Sequence, residues 1–171
     1  MSQRKEKSSQ KPERFSHGFP PAYEKDSTIL ILGSFPSVAS RSEGFYYAHK
    51  QNRFWTMLAL LYHEEKPESV VEKQLFLARH HLALYDTIES CEVIGSSDLS
   101  ISKVVPADLS WCPASIKTIL LNGKTAGKLF AKYQNSPAGI SVHTLPSTSP
   151  ANAAFSLKEL LHEWGPFLLD N

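Results

Sequence analysis

Thr28-Ile29-Leu30-Ile31-Leu32-Gly33 is a short, continuously apolar and partly β-branched run closed by a glycine. A run of this kind, with no polar residue alternating into it, fits a strand buried on both faces. Leu82-Ala83-Leu84-Tyr85 reads as a second buried strand, Ile116 to Leu121 as a third, and Ile140 to Leu145 as a fourth strand. Helical spacing lies between them. Gln51 to about Tyr62 places Phe54, Leu58, Leu61 and Tyr62 on one stripe. A second helix is expected from about Pro67, since proline suits the first helical position, to about His81. Lys124 to about Tyr133 reads as a third helix. Ser156 with Glu159 opens a final one as a capping box, with its end expected near Trp164. Strands alternating with helices predict an α/β fold of three layers, α/β/α, around a central, mostly parallel four-stranded sheet.

The chain has 171 residues, enough for one sizeable core. Residues 1–14 are polar and basic and read as a disordered tail, leaving 15–171 as the single domain. Arg4, Lys5, Lys7, Lys11 and Arg14 in that tail would either brush a phosphate backbone or stay solvated. No apolar run approaches the roughly 20 residues that span a bilayer, and none behind the basic N-terminus makes a signal peptide. A cytoplasmic, monomeric protein without membrane contact is the expectation. Cys91 and Cys112 are expected as reduced thiols. Neither lies in a short Cys/His cluster, so no metal and no cofactor is expected. The net charge of +1 carries no global signature of nucleic-acid binding. Any DNA site must rest on local chemistry.

That chemistry gathers at one edge. Ligands of such folds collect at the carboxyl ends of the strands. There the sequence puts Gly33-Ser34-Phe35-Pro36-Ser37, Asp86, Asn122-Gly123 and Pro146-Ser147-Thr148-Ser149-Pro150. Gly33 allows a sharp turn whose amides can face an anion or a base edge. The long loop that follows holds Gly44-Phe45-Tyr46-Tyr47-Ala48-His49, then Gln51-Asn52-Arg53-Phe54-Trp55. Three consecutive aromatics either plug the core or stack on something flat, such as an extruded base. For Phe45 the two readings balance; Tyr47 leans to stacking. Asn52 is a helix cap or a site residue, and Arg53 holds a phosphate or a surface carboxylate.

The run GFYYAHKQNRFW behind GSFPS resembles the first signature of the mismatch-specific and thymine-DNA glycosylase branch of the uracil-DNA glycosylase superfamily. LPSTSPANA resembles the second signature, the loop that enters the gap left by a flipped nucleotide. With the LYD turn, the whole pattern is most similar to the hypoxanthine-DNA (deoxyinosine) glycosylase family. Where relatives carry a water-activating Asp or Asn this chain has Phe35, and where many carry a His it has Leu145. The resemblance implies that Asn52 is the catalytic residue, and that damaged DNA is the partner. It implies base contacts from Gly33, Ser34, Phe35, Tyr47, Asp86 and Asn122. DNA contacts would come from Ser37, Arg53, Ser147, Thr148, Ser149 and Asn152.

Physically the scheme is workable. N-glycosidic hydrolysis needs a water held under C1′ and stabilisation of a departing anionic base. An amide does not titrate, so Asn52 would position water without deprotonating it. Asp86 could accept from the N1–H of hypoxanthine, a group adenine lacks; its plainer role is a turn cap. The expected reaction is metal-free hydrolysis that releases a deaminated base, hypoxanthine favoured and uracil second, at the start of base excision repair. Three alternatives follow from the same residues. One is a DNA-binding module that lost catalysis, as Phe35 and Leu145 suggest. Another is a serine esterase built from Ser34 or Ser37 with Asp86 and His143. The third is a lyase using Lys50 or Lys124 as an amine.

Overall fold

The computed structural model describes residues 10–95 and 98–170. Four strands form an all-parallel sheet in the order β3-β2-β6-β7. They are β2 (Ile29–Gly33), β3 (Leu82–Asp86), β6 (Thr118–Asn122) and β7 (Ser141–Leu145). Each expected strand is present, shifted by a residue or two. The residues of β2, β3 and β6 are all buried, as their unbroken apolar runs require. The edge strand β7 is exposed or half-buried until Leu145. Five helices complete the three-layer α/β/α architecture: α1 (Val38–Glu43), α2 (Phe54–Leu61), α3 (Val70–Arg79), α4 (Lys124–Tyr133) and α5 (Leu157–Leu169). Leu30, Ile31, Leu32, Leu58, Phe76 and Trp164 are fully buried in one core between these layers.

Several expected boundaries move, each for a local reason. The helix expected from Gln51 starts at Phe54, because the Asn52 side chain takes the Phe54 N–H at 3.0 Å and ends the loop there. The helix expected from Pro67 starts at Val70. Ser69 and Glu72 form a reciprocal capping box, which outweighs the preference of proline for a first turn. The capping box at Ser156 and Glu159 is present as expected. The helix it opens runs past Trp164 to Leu169 despite Pro166, because Trp164 and Leu168 both face the core. The loop after Gly33 also holds a helix, α1, capped by Ser37.

The largest departure is a second sheet, antiparallel, in the order β1-β4-β5. It joins β1 (Glu13–Ser16), β4 (Ile88–Val93) and β5 (Ser102–Pro106). The tail expected through Arg14 therefore ends sooner: Glu13 pairs with Val93 and Arg14 with Glu92. The Arg14 guanidinium donates to Ser90 Oγ at 2.8 Å, so its expected freedom to meet phosphate is not found. Residues 1–9, and with them Arg4, Lys5 and Lys7, lie outside the described residues. Ile88, Cys91 and Val93 give this sheet a small core of its own, against which Phe35 packs. Because β4 follows β3 after a single residue, the second sheet grows out of the carboxyl edge of the first. There it walls the functional cleft. Among the described residues no helix is long and apolar enough to cross a membrane.

Candidate active site

A cleft of about 430 Å³ opens at the carboxyl ends of β2, β3 and β6. Gly33, Asp86 and Asn122 end those strands and line it. The turn after Gly33, Tyr47, Asn52 and residues 147–151 complete its walls. The sequence motifs, far apart in the chain, thus meet in one place.

To one side of Gly33, three neutral side chains form a chain whose polarity can be deduced. The backbone N–H of Thr148 donates to Asn122 Oδ1 at 3.0 Å, so the other end of that amide is its NH2. Asn122 Nδ2 donates to Thr148 Oγ1 at 3.0 Å, and the Thr148 hydroxyl must then donate onward, to Asn52 Oδ1 at 2.9 Å. The Phe54 N–H fixes the same Asn52 oxygen. Both lone pairs of Oδ1 are occupied. Asn52 therefore offers the cleft its NH2 group, which has no protein partner among the described residues. The cap reading and the site reading of Asn52 are one arrangement: the bond that ends the loop orients the amide.

To the other side of Gly33 stands Asp86, 4% exposed. Its Oδ2 meets His17 Nε2 at 2.7 Å, in a hydrogen-bonded pair buried on both sides. Its Oδ1 lies over the Cα of Gly33, where any side chain would collide with it; a Cβ there would also come within 3.3 Å of the Tyr47 hydroxyl. Gly33 is thus needed for the close approach of two oxygens, which is more specific than the expected sharp turn. The Tyr47 hydroxyl is buried and has no hydrogen-bond partner among the described residues. Leaving it so costs about 1–3 kcal/mol. The backbone of Tyr47 is also left-handed, at φ 54°, an uncommon state for a bulky residue. Burial, and then the neighbouring Asp86, push its phenol far up, so it remains a neutral O–H donor. One face of its ring is covered by Phe54, with centroids 4.0 Å apart. Of the other loop aromatics, Phe45 belongs to the core, and Tyr46 is buried with its hydroxyl on Pro20 O at 2.8 Å.

Several expected contacts are engaged elsewhere. The Arg53 guanidinium donates to the carbonyls of Phe155, Ser149 and Asn152, and so pins the 147–152 loop. Thr148 is fully buried and is a link in the amide chain, so a direct DNA contact from its side chain is excluded in this arrangement. Asn122 gives one N–H and one lone pair of its amide to Thr148, which fixes its direction in the cleft lining. Asn152 donates to Ser147 O at 3.0 Å and lies outside the cleft lining. The hydroxyls of Ser147 and Ser149 accept from the N–H groups of Ser149 and Ala151 and shape the loop from within. Ser37 caps α1, its hydroxyl accepting from Ser40 N at 3.1 Å. Ser34 lines the cleft, and its carbonyl receives Ile88 N and Thr87 Oγ1. Phe35 lines it too, its ring edge-on to His17 at 6.4 Å. Gly123, at φ 102°, lets the β6–α4 turn pass close to Ser147, where a Cβ would come within 2.9 Å.

The alternative chemistries do not assemble. His143 packs on Phe167 outside the cleft, and Asp86 is taken by His17, so no Ser-His-Asp triad forms. Neither Lys50 nor Lys124 lines the cleft. Among the described residues no three His, Cys, Asp or Glu side chains gather to hold a metal ion. Cys91 and Cys112 are not joined in a disulfide.

A family model, the uracil DNA glycosylase superfamily, matches residues 20–164. The chain belongs to that superfamily. Two curated members are similar over nearly their whole length. The hypoxanthine DNA glycosylase of Methanosarcina acetivorans is 32% identical, with 86% of this chain and 94% of the relative covered. Its namesake in Methanosarcina barkeri is 30% identical over the same shares. A solution NMR structure of a protein from Methanosarcina acetivorans, assigned as a uracil DNA glycosylase, superposes with a TM-score of 0.71 and 28% identity, covering 86% of this chain and 95% of that one. The chain is thus a DNA N-glycosylase in fold and family. Two residues escaped the motifs read from the sequence, Leu99 in the cleft lining and His17 behind Asp86. Leu99, 96% exposed, stands at the cleft on the turn before β5. His17 reaches Asp86 from the end of β1. A charged and apolar N-terminal stretch conceals both its strand and its histidine.

Proposed function

We propose that this glycosylase flips a deaminated base out of DNA and hydrolyses its N-glycosidic bond, with hypoxanthine as the favoured base. The observation that carries the reading is the pair of oxygens over Gly33. Asp86 Oδ1 is an acceptor and the Tyr47 hydroxyl a partnerless donor, side by side. Deamination creates the complementary edge, a ring N–H next to a carbonyl: N1–H and O6 in hypoxanthine. Adenine presents an acceptor and an amino group instead, which would leave both protein groups unmet. A site built to bond an N–H rejects an analogue lacking it by far more than an apolar pocket can. Uracil shares the lactam edge, and the preference for the purine is supported by the two relatives named for hypoxanthine.

Asn52 acts on the sugar side. Its NH2 donates to the oxygen of a water and holds it beneath C1′, but nothing at Asn52 accepts that water's proton. The C–N bond must therefore be largely broken before the water adds, its proton then passing to the departed base anion or to solvent, and the departing base must be stabilised. The Tyr47 O–H, donated to the base carbonyl, supplies part of that stabilisation. Extrusion itself costs a few kcal/mol, least at a damaged or mispaired base. The enzyme acts as a monomer in the cytoplasm, on DNA, as the first step of base excision repair.

Single-turnover reactions with enzyme in excess over duplexes bearing hypoxanthine, uracil, xanthine or mispaired thymine test this. Hypoxanthine should leave fastest. Retention of every base would instead leave a DNA-binding scaffold.

A further inference from the structure

We infer that His17 is a positioning residue that fixes Asp86 Oδ1 as a hydrogen-bond acceptor, and so makes excision depend on a ring N–H in the base. The inference rests on the reading of Asp86 given above. His17 arrives from the end of the antiparallel sheet's first strand, 1% exposed. Its own backbone N–H is held by Glu89 O at 2.8 Å. Its ring is wedged between Phe19 and Tyr85, with centroids at 4.4 and 4.5 Å, and it is approached by Tyr46 at 5.9 Å. The imidazole has little freedom to turn.

The hydrogen bonds then decide where protons can be. Nδ1 lies 2.9 Å from Phe19 O, and a carbonyl only accepts, so Nδ1 carries a hydrogen. Nε2 faces Asp86 Oδ2 at 2.7 Å with one proton between them. If nitrogen holds it, the pair is imidazolium and carboxylate. If oxygen holds it, the pair is imidazole and a carboxylic acid whose hydrogen points at the ring. In both cases Oδ1 bears no hydrogen and offers only lone pairs to the cleft. Among the described residues His17 is the only ion-pair partner of Asp86. The other titratable groups around the pair are the hydroxyls of Tyr46, Tyr47 and Tyr85, all pushed upward by burial first, and Glu89, which receives the Tyr85 hydroxyl at 3.0 Å. None of them can replace the imidazole as a donor to Oδ2 without moving. Remove His17, and a buried carboxyl is free to take a proton on Oδ1. It would then donate where it should accept, and would suit a ring nitrogen without hydrogen.

The test compares deoxyinosine with deoxynebularine, a purine nucleotide with neither N1–H nor O6, in single-turnover excision from matched duplexes. Relative to the wild type, His17→Leu should shrink the preference for deoxyinosine about 100-fold, the size of a lost hydrogen bond to a charged group. His17→Gln, whose Nε2 spans to the same carboxylate oxygen, should recover most of the preference. His17→Asn, one carbon too short, should resemble the leucine variant. An unchanged preference in His17→Leu overturns the inference. If that variant does not fold, equal preferences in the Gln and Asn variants overturn it. A long-range proton–nitrogen NMR spectrum of the wild type should show His17 Nδ1 protonated; a bare Nδ1 overturns it without reference to activity. A wild type that releases neither base, with Nδ1 protonated as expected, sinks the functional reading while leaving the His17–Asp86 geometry intact.

Discussion

On one side of Gly33 the cleft is lined by Asn122, Thr148 and Asn52, neutral groups whose direction is set by two backbone N–H donors, those of Thr148 and Phe54. On the other side stands Asp86, whose direction is set by a histidine from another sheet. Amides and hydroxyls cannot change protonation near neutral pH, so a fixed donor at each end is enough to orient the whole chain. A carboxyl can change, and its meaning to a ligand reverses when it does, so it needs a partner that controls the proton. The neutral side is suited to holding water at the sugar. The ionisable side is suited to reading whether the ring nitrogen of a base edge carries a hydrogen.

The comparison can be broken most directly at Asn52. Asn52→Ala removes the free NH2, and we expect single-turnover excision to fall by at least about 10²–10³-fold, as when a preorganised donor is lost. Binding to a duplex should change little, and an undiminished rate would remove the neutral side from the chemistry. Asp86→Ala should act differently. Its effect, about 100-fold, should fall on the choice between hypoxanthine and purine more than on DNA affinity. Equal losses on both bases would show that Asp86 only supports the strand end. Thr148→Val deletes the hydroxyl that joins the two asparagines while nearly keeping its volume. A loss of about tenfold is expected, because Asn52 Oδ1 keeps its bond from Phe54 but loses the second. No change would mean that Phe54 alone orients the amide.

The smallest effect concerns stability. Burial, reinforced by Asp86, raises the phenols of Tyr46, Tyr47 and Tyr85 well above the usual value of about 10. Above that value the unfolded chain loses protons that the folded chain keeps. The stabilisation is thus complete below about pH 10 and is lost as pH rises beyond it. Melting temperature, level from neutral to mildly alkaline pH, should decline above about pH 10, and less steeply in Tyr47→Phe. An identical decline in that variant would remove Tyr47 from the account.

Much of this was legible in the residues. Four strand-like runs separated by helical spacing, the first two continuously apolar, pointed to a parallel sheet covered on both faces, and their ends located Gly33, Asp86, Asn122 and the 147–152 loop. The antiparallel sheet was not legible, because β1 and β5 are largely exposed and lack a clear alternation, Glu13-Arg14-Phe15-Ser16 among them. Strands of that kind are defined by their partner more than by their composition. Arg53, Thr148 and Asn152, read as DNA contacts, each make side-chain hydrogen bonds within the protein. A side chain that can donate to phosphate can equally donate to a carbonyl, and sequence spacing does not say which lies nearer.

The order of hydrophobic runs and turn residues alone determined the layered fold, the edge where ligands gather and the family to which the motifs belong. Those properties depend on periodicity and on contacts close in sequence. Only the tertiary structure decided which end of the Asn52 amide faces the cleft, that Gly33 makes room for two oxygens, and that Asp86 is governed by His17, 69 residues earlier in the chain. Hydrogen-bond polarity is a property of partners brought together by folding, and no spacing along the chain encodes it.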